Sequence, residues 1–279
     1  MTADFLEQMA AGSRERVRLA RRDCPEATLL SRALASPQPP SLKRSVAGFD
    51  LIAELKLRSP AAGQLRAAAD EDVGARVTAY ARAGAAAVSI LTEPSRFDGS
   101  VEHLETAARA LTPLGIPAMR KDFLVDPYQV LEARLAGAGG ILAILRMLPK
   151  SQTEALIDTA RSLGLFVLLE AFDEHDIELM HDLVDSHSGS AELLAGVNCR
   201  DLATLQVVPR RLEELAHLLP RKVLRVAESG VGSDDDARRV AAVGYEMALV
   251  GSALMQGDSP GSLTSAMLQA GRAARHPTS

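Results

Sequence analysis

Five charged side chains stand where apolar runs of this sequence give out into loops: Glu54 and Lys56, Lys121, Glu170 and Glu228. Ammonium and carboxylate groups gathered away from bulk water can move protons. Neighbouring carboxylates favour the ammonium form of Lys121 and make it a proton donor, while Glu170 can take or return protons. Period-two alternation along an extended run puts Glu54 and Lys56 on one side. Charges so placed are costly unless paired, so two lysines among three glutamates read as an arranged network; a set of purely stabilising ion pairs is the competing reading.

Other residues suit the binding of an anion. Ser229-Gly230 and Gly251-Ser252 follow the last two apolar runs, with Ser59 as a third donor after the first run. Glycine there lets backbone amides approach an anion, and a nearby helix N-terminus adds a favourable field. Asn198 and Arg200 end the sixth run and can donate to hydroxyls or carboxylates. By contrast, His103, His175, His181 and His187 read as surface residues, and Asp234 to Asp236 as a helix start rather than a metal site. Cys199 has no evident activating histidine and is not read as a nucleophile.

The elements that must position these groups follow from a repeat. A short apolar run, a loop with Gly, Ser, Asp or Pro, and an amphipathic stretch rich in Ala, Leu, Glu and Arg recur eight times, with apolar runs near 49–56, 86–91, 117–121, 140–145, 165–170, 193–198, 223–228 and 246–250. The spacing of about 20 to 36 residues fits a strand plus a returning helix, and strands this continuously apolar are buried on both faces, as parallel strands are. Asp126-Pro127 and Ser233 with the aspartates after it supply helix starts; Gly84, Gly164 and Gly244 supply left-handed helix ends. Eight such units predict an α/β fold, a closed (β/α)8 barrel, with an open doubly wound sheet as the alternative. The charged strand ends then all fall on odd-numbered strands, which share side-chain layers inside such a barrel. Before the barrel, residues 3–23 and 26–35 read as helices, and the proline cluster 36–40 closes an N-terminal extension. The expected organisation is one domain, extension 1–46 and barrel 47–279.

Composition narrows the function. Hydrophobic content of 47% is ample for a core, while aromatic content of 3% and no tryptophan argue against base-stacking platforms. A net charge of -5 and a pI near 5.7 leave no basic surface for nucleic acid, so an anion must be held locally. Cys24 and Cys199 form no CxxC or metal spacing and are read as reduced thiols. The N-terminus, with Asp4 and Glu7, lacks the pattern of a signal peptide, and no run approaches a membrane span. The expected location is the cytoplasm.

The segments AELKLRSP (53–60), LTEPSRFDGS (91–100), MRKDFLVDPY (119–128), GVNCRDL (196–202) and AESGV (227–231) together closely resemble the indole-3-glycerol phosphate synthase family, over nearly the whole chain. The resemblance implies a TIM-barrel carboxy-lyase that cyclises 1-(o-carboxyphenylamino)-1-deoxyribulose 5-phosphate in tryptophan biosynthesis, with no metal or organic cofactor. It implies Lys121 as general acid, Lys56 on the substrate carboxylate, and Glu170 as acid and base in dehydration, with Glu54, Asn198 and Glu228 assisting. Ser59, Ser229, Gly230, Gly251 and Ser252 would hold substrate, the last four chiefly at phosphate. Arg200 would meet the carboxylate side, and Phe97, Phe123, Leu142 and Leu202 would line the ring pocket. The implied partner is this small phosphosugar, with neither nucleic acid nor membrane; the chain is expected as a monomer or weak homodimer, and association with other tryptophan-pathway enzymes stays open. Three positions depart from the family pattern: Ala61 in place of a second serine, Ala171-Phe172 in place of the common Val-His, and Cys199 in place of Asn or Ser. Another phosphosugar reaction, a Schiff-base aldolase on Lys121, or a silent binding paralogue are the alternatives.

Overall fold

All eight apolar runs form strands, each buried along its length except at the rims: β1 (Asp50–Leu55), β2 (Ala87–Leu91), β3 (Ala118–Lys121), β4 (Gly140–Ile144), β5 (Phe166–Ala171), β6 (Leu193–Asn198), β7 (Leu224–Glu228) and β8 (Met247–Val250). In this computed structural model they pair in parallel in sequence order and close, β8 onto β1, into one barrel. The structure describes residues 2–67, 71–187, 189, 192–201, 204–208, 210–257 and 259–275. The open-sheet alternative is therefore set aside. A feature absent from the sequence reading is a small hairpin, Arg58–Ser59 against Gly63–Gln64, in the loop after β1.

Parallel strands need covered faces, and the sequence supplies two apolar layers. Ile52, Met119, Leu142, Leu168, Leu194, Val226 and Met247 belong to the cluster that fills the barrel, while a larger cluster packs the strands against the surrounding helices. Helix starts are made by local chemistry. Asp126 accepts from the Tyr128 amide with Pro127 at the first helical position, and Ser233 with Asp236 forms a reciprocal capping box. The Asp234–Asp236 run is thus a helix start, as its sequence suggested. Gly84, Gly164 and Gly244 have φ of 101°, 71° and 110°, in the left-handed region their helix ends require.

The extension consists of α1 (Thr2–Asp23) and α2 (Glu26–Ala35), within a residue of the predicted limits. The proline stretch after α2 is pinned by Arg134, a buried guanidinium that donates to Ser36 Oγ at 2.6 Å, Ser36 O at 2.9 Å and Pro37 O at 2.9 Å. One expectation needs correction. His187 is buried rather than on the surface, because its ring turns back over its own helix end, with Nδ1 2.8 Å from Leu183 O and 3.0 Å from Ser186 Oγ. His103 is half-buried, and burial pushes its ring below the usual imidazole range; His175 and His181 are exposed. Among the described residues no helix is long and apolar enough to cross a membrane.

Candidate active site

The strand ends of the barrel open into a cavity of about 430 Å³, and every residue the sequence singled out for the site lines it, save Leu202, which lies outside the described residues. Lys121 reaches inward from the end of β3 to lie between two carboxylates, Nζ to Glu170 Oε2 at 3.1 Å and to Glu228 Oε2 at 3.2 Å. Alternation along β1 does place Glu54 and Lys56 together, with Lys56 Nζ 2.7 Å from Glu54 Oε1. Asn198, at the end of β6, donates from Nδ2 to Glu170 Oε1 at 3.2 Å and accepts the Arg200 amide at 2.9 Å. Odd strands β1, β3, β5 and β7 supply the five charges, as their shared layer demands.

Burial decides how these groups hold protons. For Lys121 burial alone would favour the neutral amine, but Glu170, Glu228 and Glu54 outweigh it and raise it well above the usual lysine range. It therefore remains an ammonium. Glu54 is likewise penalised by burial, yet Lys56, Lys121 and Arg200 draw it below the usual carboxylate range. Glu228 goes the other way: burial, only partly offset by Lys121 and reinforced by Glu170, pushes it up to about 8. Its Oε1 has no hydrogen-bond partner among the described residues. A protonated Glu228 leaves two ammoniums facing two carboxylates, a balanced set into which an anion can enter.

The rim of β7 and β8 is shaped for close backbone approach. Ser229 and Gly230 have φ of 65° and 66°; glycine tolerates this freely, serine only with strain of about 1 kcal/mol or more. At Gly251 a side chain is excluded, since a Cβ would overlap Glu54 Oε1 and lie 3.0 Å from Lys56 Nζ. Gly251 thus also makes room for the Glu54–Lys56 pair, a role its sequence context did not suggest. Across the barrel, the rim of β2 to β4 is apolar: Phe97 packs on Phe123 with ring centroids 6.2 Å apart, beside Leu142. Because β7 and β8 face β3 and β4 in the strand order, the cavity has a polar wall opposite an apolar one.

Some contributors were missed. Phe5 of α1 joins the apolar wall, edge-on to Phe123 at 5.9 Å; in sequence it reads as one apolar residue of an amphipathic helix, with nothing to say that the helix covers the cavity. Leu91, Ile144, Leu249 and Asp236 also line it, as does Leu205, held at a φ of 62°. Arg200 lines the cavity but spends one guanidinium donor on Leu205 O at 2.7 Å, fixing its own loop. The three departures from the family pattern fall around the charges. Ala61 lines the cavity; Phe172 is buried beneath the Arg146 guanidinium, 4.6 Å from the ring centroid; and Cys199 is buried. Burial pushes the Cys199 thiol up to about 11, so it is no thiolate nucleophile.

The family model described as indole-3-glycerol phosphate synthase matches residues 6–267. The chain belongs to the indole-3-glycerol phosphate synthase family. Proteins of that name to which it is similar include one from Micrococcus luteus, 39% identical over 262 residues that cover 91% of this chain and 93% of that one. Another, from Opitutus terrae, is 39% identical over 267 residues, 93% of this chain and 97% of the relative. Among solved structures, thiamine phosphate pyrophosphorylase from Pyrococcus furiosus aligns with a TM-score of 0.59 at 14% identity, over 82% of this chain and 98% of that chain. The 3-hexulose-6-phosphate synthase from Salmonella typhimurium aligns with a TM-score of 0.59 at 15% identity, over 80% and 98%. At such identities these two speak for the barrel fold alone. The indole-3-glycerol phosphate synthase family is one of carboxy-lyases in tryptophan biosynthesis.

Proposed function

We propose that this chain closes 1-(o-carboxyphenylamino)-1-deoxyribulose 5-phosphate to indole-3-glycerol phosphate, releasing carbon dioxide and water, in the cytoplasm. The observation that carries this reading is Lys121, an ammonium clasped by Glu170 and Glu228 at the base of a cavity with one apolar and one polar wall. The substrate has the matching asymmetry, an aromatic ring at one end and a phosphate at the other. Phe97, Phe123, Leu142 and Phe5 would take the ring, while Ser229, Gly230, Gly251 and Ser252 would take the phosphate. Fixing both ends holds the reacting carbons near attack geometry.

In the first step the ring carbon that bears the carboxylate attacks the ribulose carbonyl, and the oxygen gains negative charge. Lys121 stabilises that charge and delivers a proton to it. Loss of carbon dioxide restores the aromatic ring. Lys56, with Arg200 on the carboxylate side, steers that group until it leaves. In the second step the new hydroxyl departs as water with a proton from an acid, and a base removes a proton from the ring-closed skeleton to form the indole double bond. Glu170 serves as acid and base there, held by Asn198, with Glu54 keeping Lys56 in place and Glu228 tuning Lys121. Extension and barrel act as one domain, since α1 contributes Phe5 to the wall. A Schiff-base aldolase on Lys121 is disfavoured, because a nucleophilic lysine needs a lowered pKa and this one is raised.

The test is direct turnover of the carboxyphenylamino substrate followed by indole fluorescence. The chain contains no tryptophan, so an indole signal reports product. No product at micromolar enzyme would overturn the reading.

A further inference from the structure

Behind the Ser229-Gly230 loop lies a second cavity, about 360 Å³, lined by Cys199, Val207, Glu213 and Arg239 and by the far side of Gly230. The loop is clamped there. A Cβ on Gly230 would lie 2.7 Å from Cys199 Sγ and 3.1 Å from Val207 Cγ1, so the loop rests directly on the end of β6 and the segment after it. Its continuation is gathered by one carboxylate: Asp236 Oδ2 accepts from the Gly232 amide at 3.1 Å, the Ser233 amide at 3.1 Å and Ser233 Oγ at 2.9 Å.

That arrangement poses an electrostatic problem. Asp236 also lines the active-site cavity, so a negative charge stands beside the loop assigned to a phosphate. Burial works against its ionisation, but the loop donors and Arg239 hold it below the usual carboxylate range. The carboxylate therefore stays charged at neutral pH. Arg239 answers it, with Nη2 3.2 Å from Asp236 Oδ1 and 3.5 Å from Gly230 O, while Nη1 pairs with Glu213. One guanidinium thus neutralises the loop's organising carboxylate, contacts the strained turn from behind and is itself anchored by a second carboxylate.

We infer that Arg239, held by Glu213, is a positioning residue for phosphate binding: it cancels the charge of Asp236 and braces the Ser229-Gly230 turn without touching substrate. The inference rests on the proposed assignment of the phosphate to this loop. Its test uses the full chain, KM and kcat for the carboxyphenylamino substrate, and calorimetric affinity for inorganic phosphate. In Arg239→Met both KM and the phosphate dissociation constant should rise about fivefold, the equivalent of the ~1 kcal/mol of a part-exposed ion pair, with kcat within about twofold. Arg239→Lys should recover part of the loss. Adding Asp236→Asn to Arg239→Met should restore phosphate affinity, because the repelling charge is gone while an acceptor for the loop amides remains. A merely structural arginine would show no such restoration.

Asp236→Asn alone keeps the idea testable if Arg239→Met does not fold: it should tighten phosphate binding, and weaker binding would overturn the charge account. Unchanged KM and phosphate affinity in folded Arg239→Met would overturn the inference outright. Wild-type protein that binds phosphate but makes no product would refute the proposed reaction and leave this inference standing on the binding measurement. Wild-type protein that turns over without any affinity for phosphate would refute the inference and leave the reaction standing.

Discussion

The end of β3 carries two charge networks side by side. Inside the barrel, Lys121 meets Glu170 and Glu228; beside it, its neighbours Arg120 and Asp122 enter a second cluster just as buried, which meets the same cavity only through Asp122. The second cluster is closed. Asp122 accepts from Thr92 Oγ1 at 2.7 Å, Arg16 at 2.8 Å, the Phe123 amide at 2.8 Å and Arg120 at 3.3 Å, while Arg120 also donates to Gln129 O at 2.9 Å and Glu132 at 3.0 Å. Ser13 of α1 completes it, giving its hydroxyl to Phe123 O at 2.5 Å and accepting from Gln129 at 2.8 Å. The inner cluster is open: Glu54, Lys56, Lys121 and Glu170 line a cavity. Buried charge by itself does not mark a site. Charge turned toward a cavity does, because substrate can become its partner.

Two substitutions on neighbouring residues should separate these roles. Lys121→Met removes the developing-charge stabiliser, and turnover should fall about a thousandfold or more. Its folding should suffer little, since Glu228 is already mainly protonated at neutral pH and Glu170 lines a cavity and keeps Asn198 as a donor. Asp122→Ala should do the reverse in emphasis. Stripping the network takes one carboxylate from Arg16, which keeps Glu93 at 3.7 Å, and from Arg120, which keeps Glu132, and should lower unfolding free energy by roughly 1–3 kcal/mol, read by chemical denaturation. Equal destabilisation by both changes would erase the distinction drawn between the networks.

That distinction was only half legible in the sequence. The barrel was readable because its repeat is dictated by burial: eight continuous apolar runs can be covered only by the helices between them. The inner charges were readable too, since a charged residue ending an apolar run contradicts its surroundings and so stands out. Arg120 and Asp122 flank Lys121 in the same segment, yet nothing in the chain told that Asp122 pairs with α1, because its partner Arg16 lies more than 100 positions away. Phe5 was hidden for a similar reason. An amphipathic helix shows which face is apolar, not what that face meets. The His187 error came from the opposite side, a polar residue near a helix end that its own backbone buries.

The smallest expected effect concerns Glu228, the most deeply buried carboxyl of the inner network. Its carboxyl is pushed up to about 8, so at neutral pH it is mainly protonated and the remaining charges balance. As pH rises past that value it ionises beside Lys121, adding negative charge where an anionic substrate must enter and making the ammonium a weaker acid. The kcat/KM of the wild type should therefore fall on an alkaline limb near pH 8. In Glu228→Gln that limb should move upward, with activity near pH 7 changed only a few-fold. Stability offers a second readout with a definite sign. A folded value raised above the ordinary one gives stability that is fully present below the ordinary carboxylate range and is lost as pH rises through the folded value. Wild-type stability should decline between about pH 4.5 and 8, and that portion of the decline should vanish in Glu228→Gln. An alkaline limb unmoved by the substitution would assign it to another group and leave Glu228 as one more closed pair.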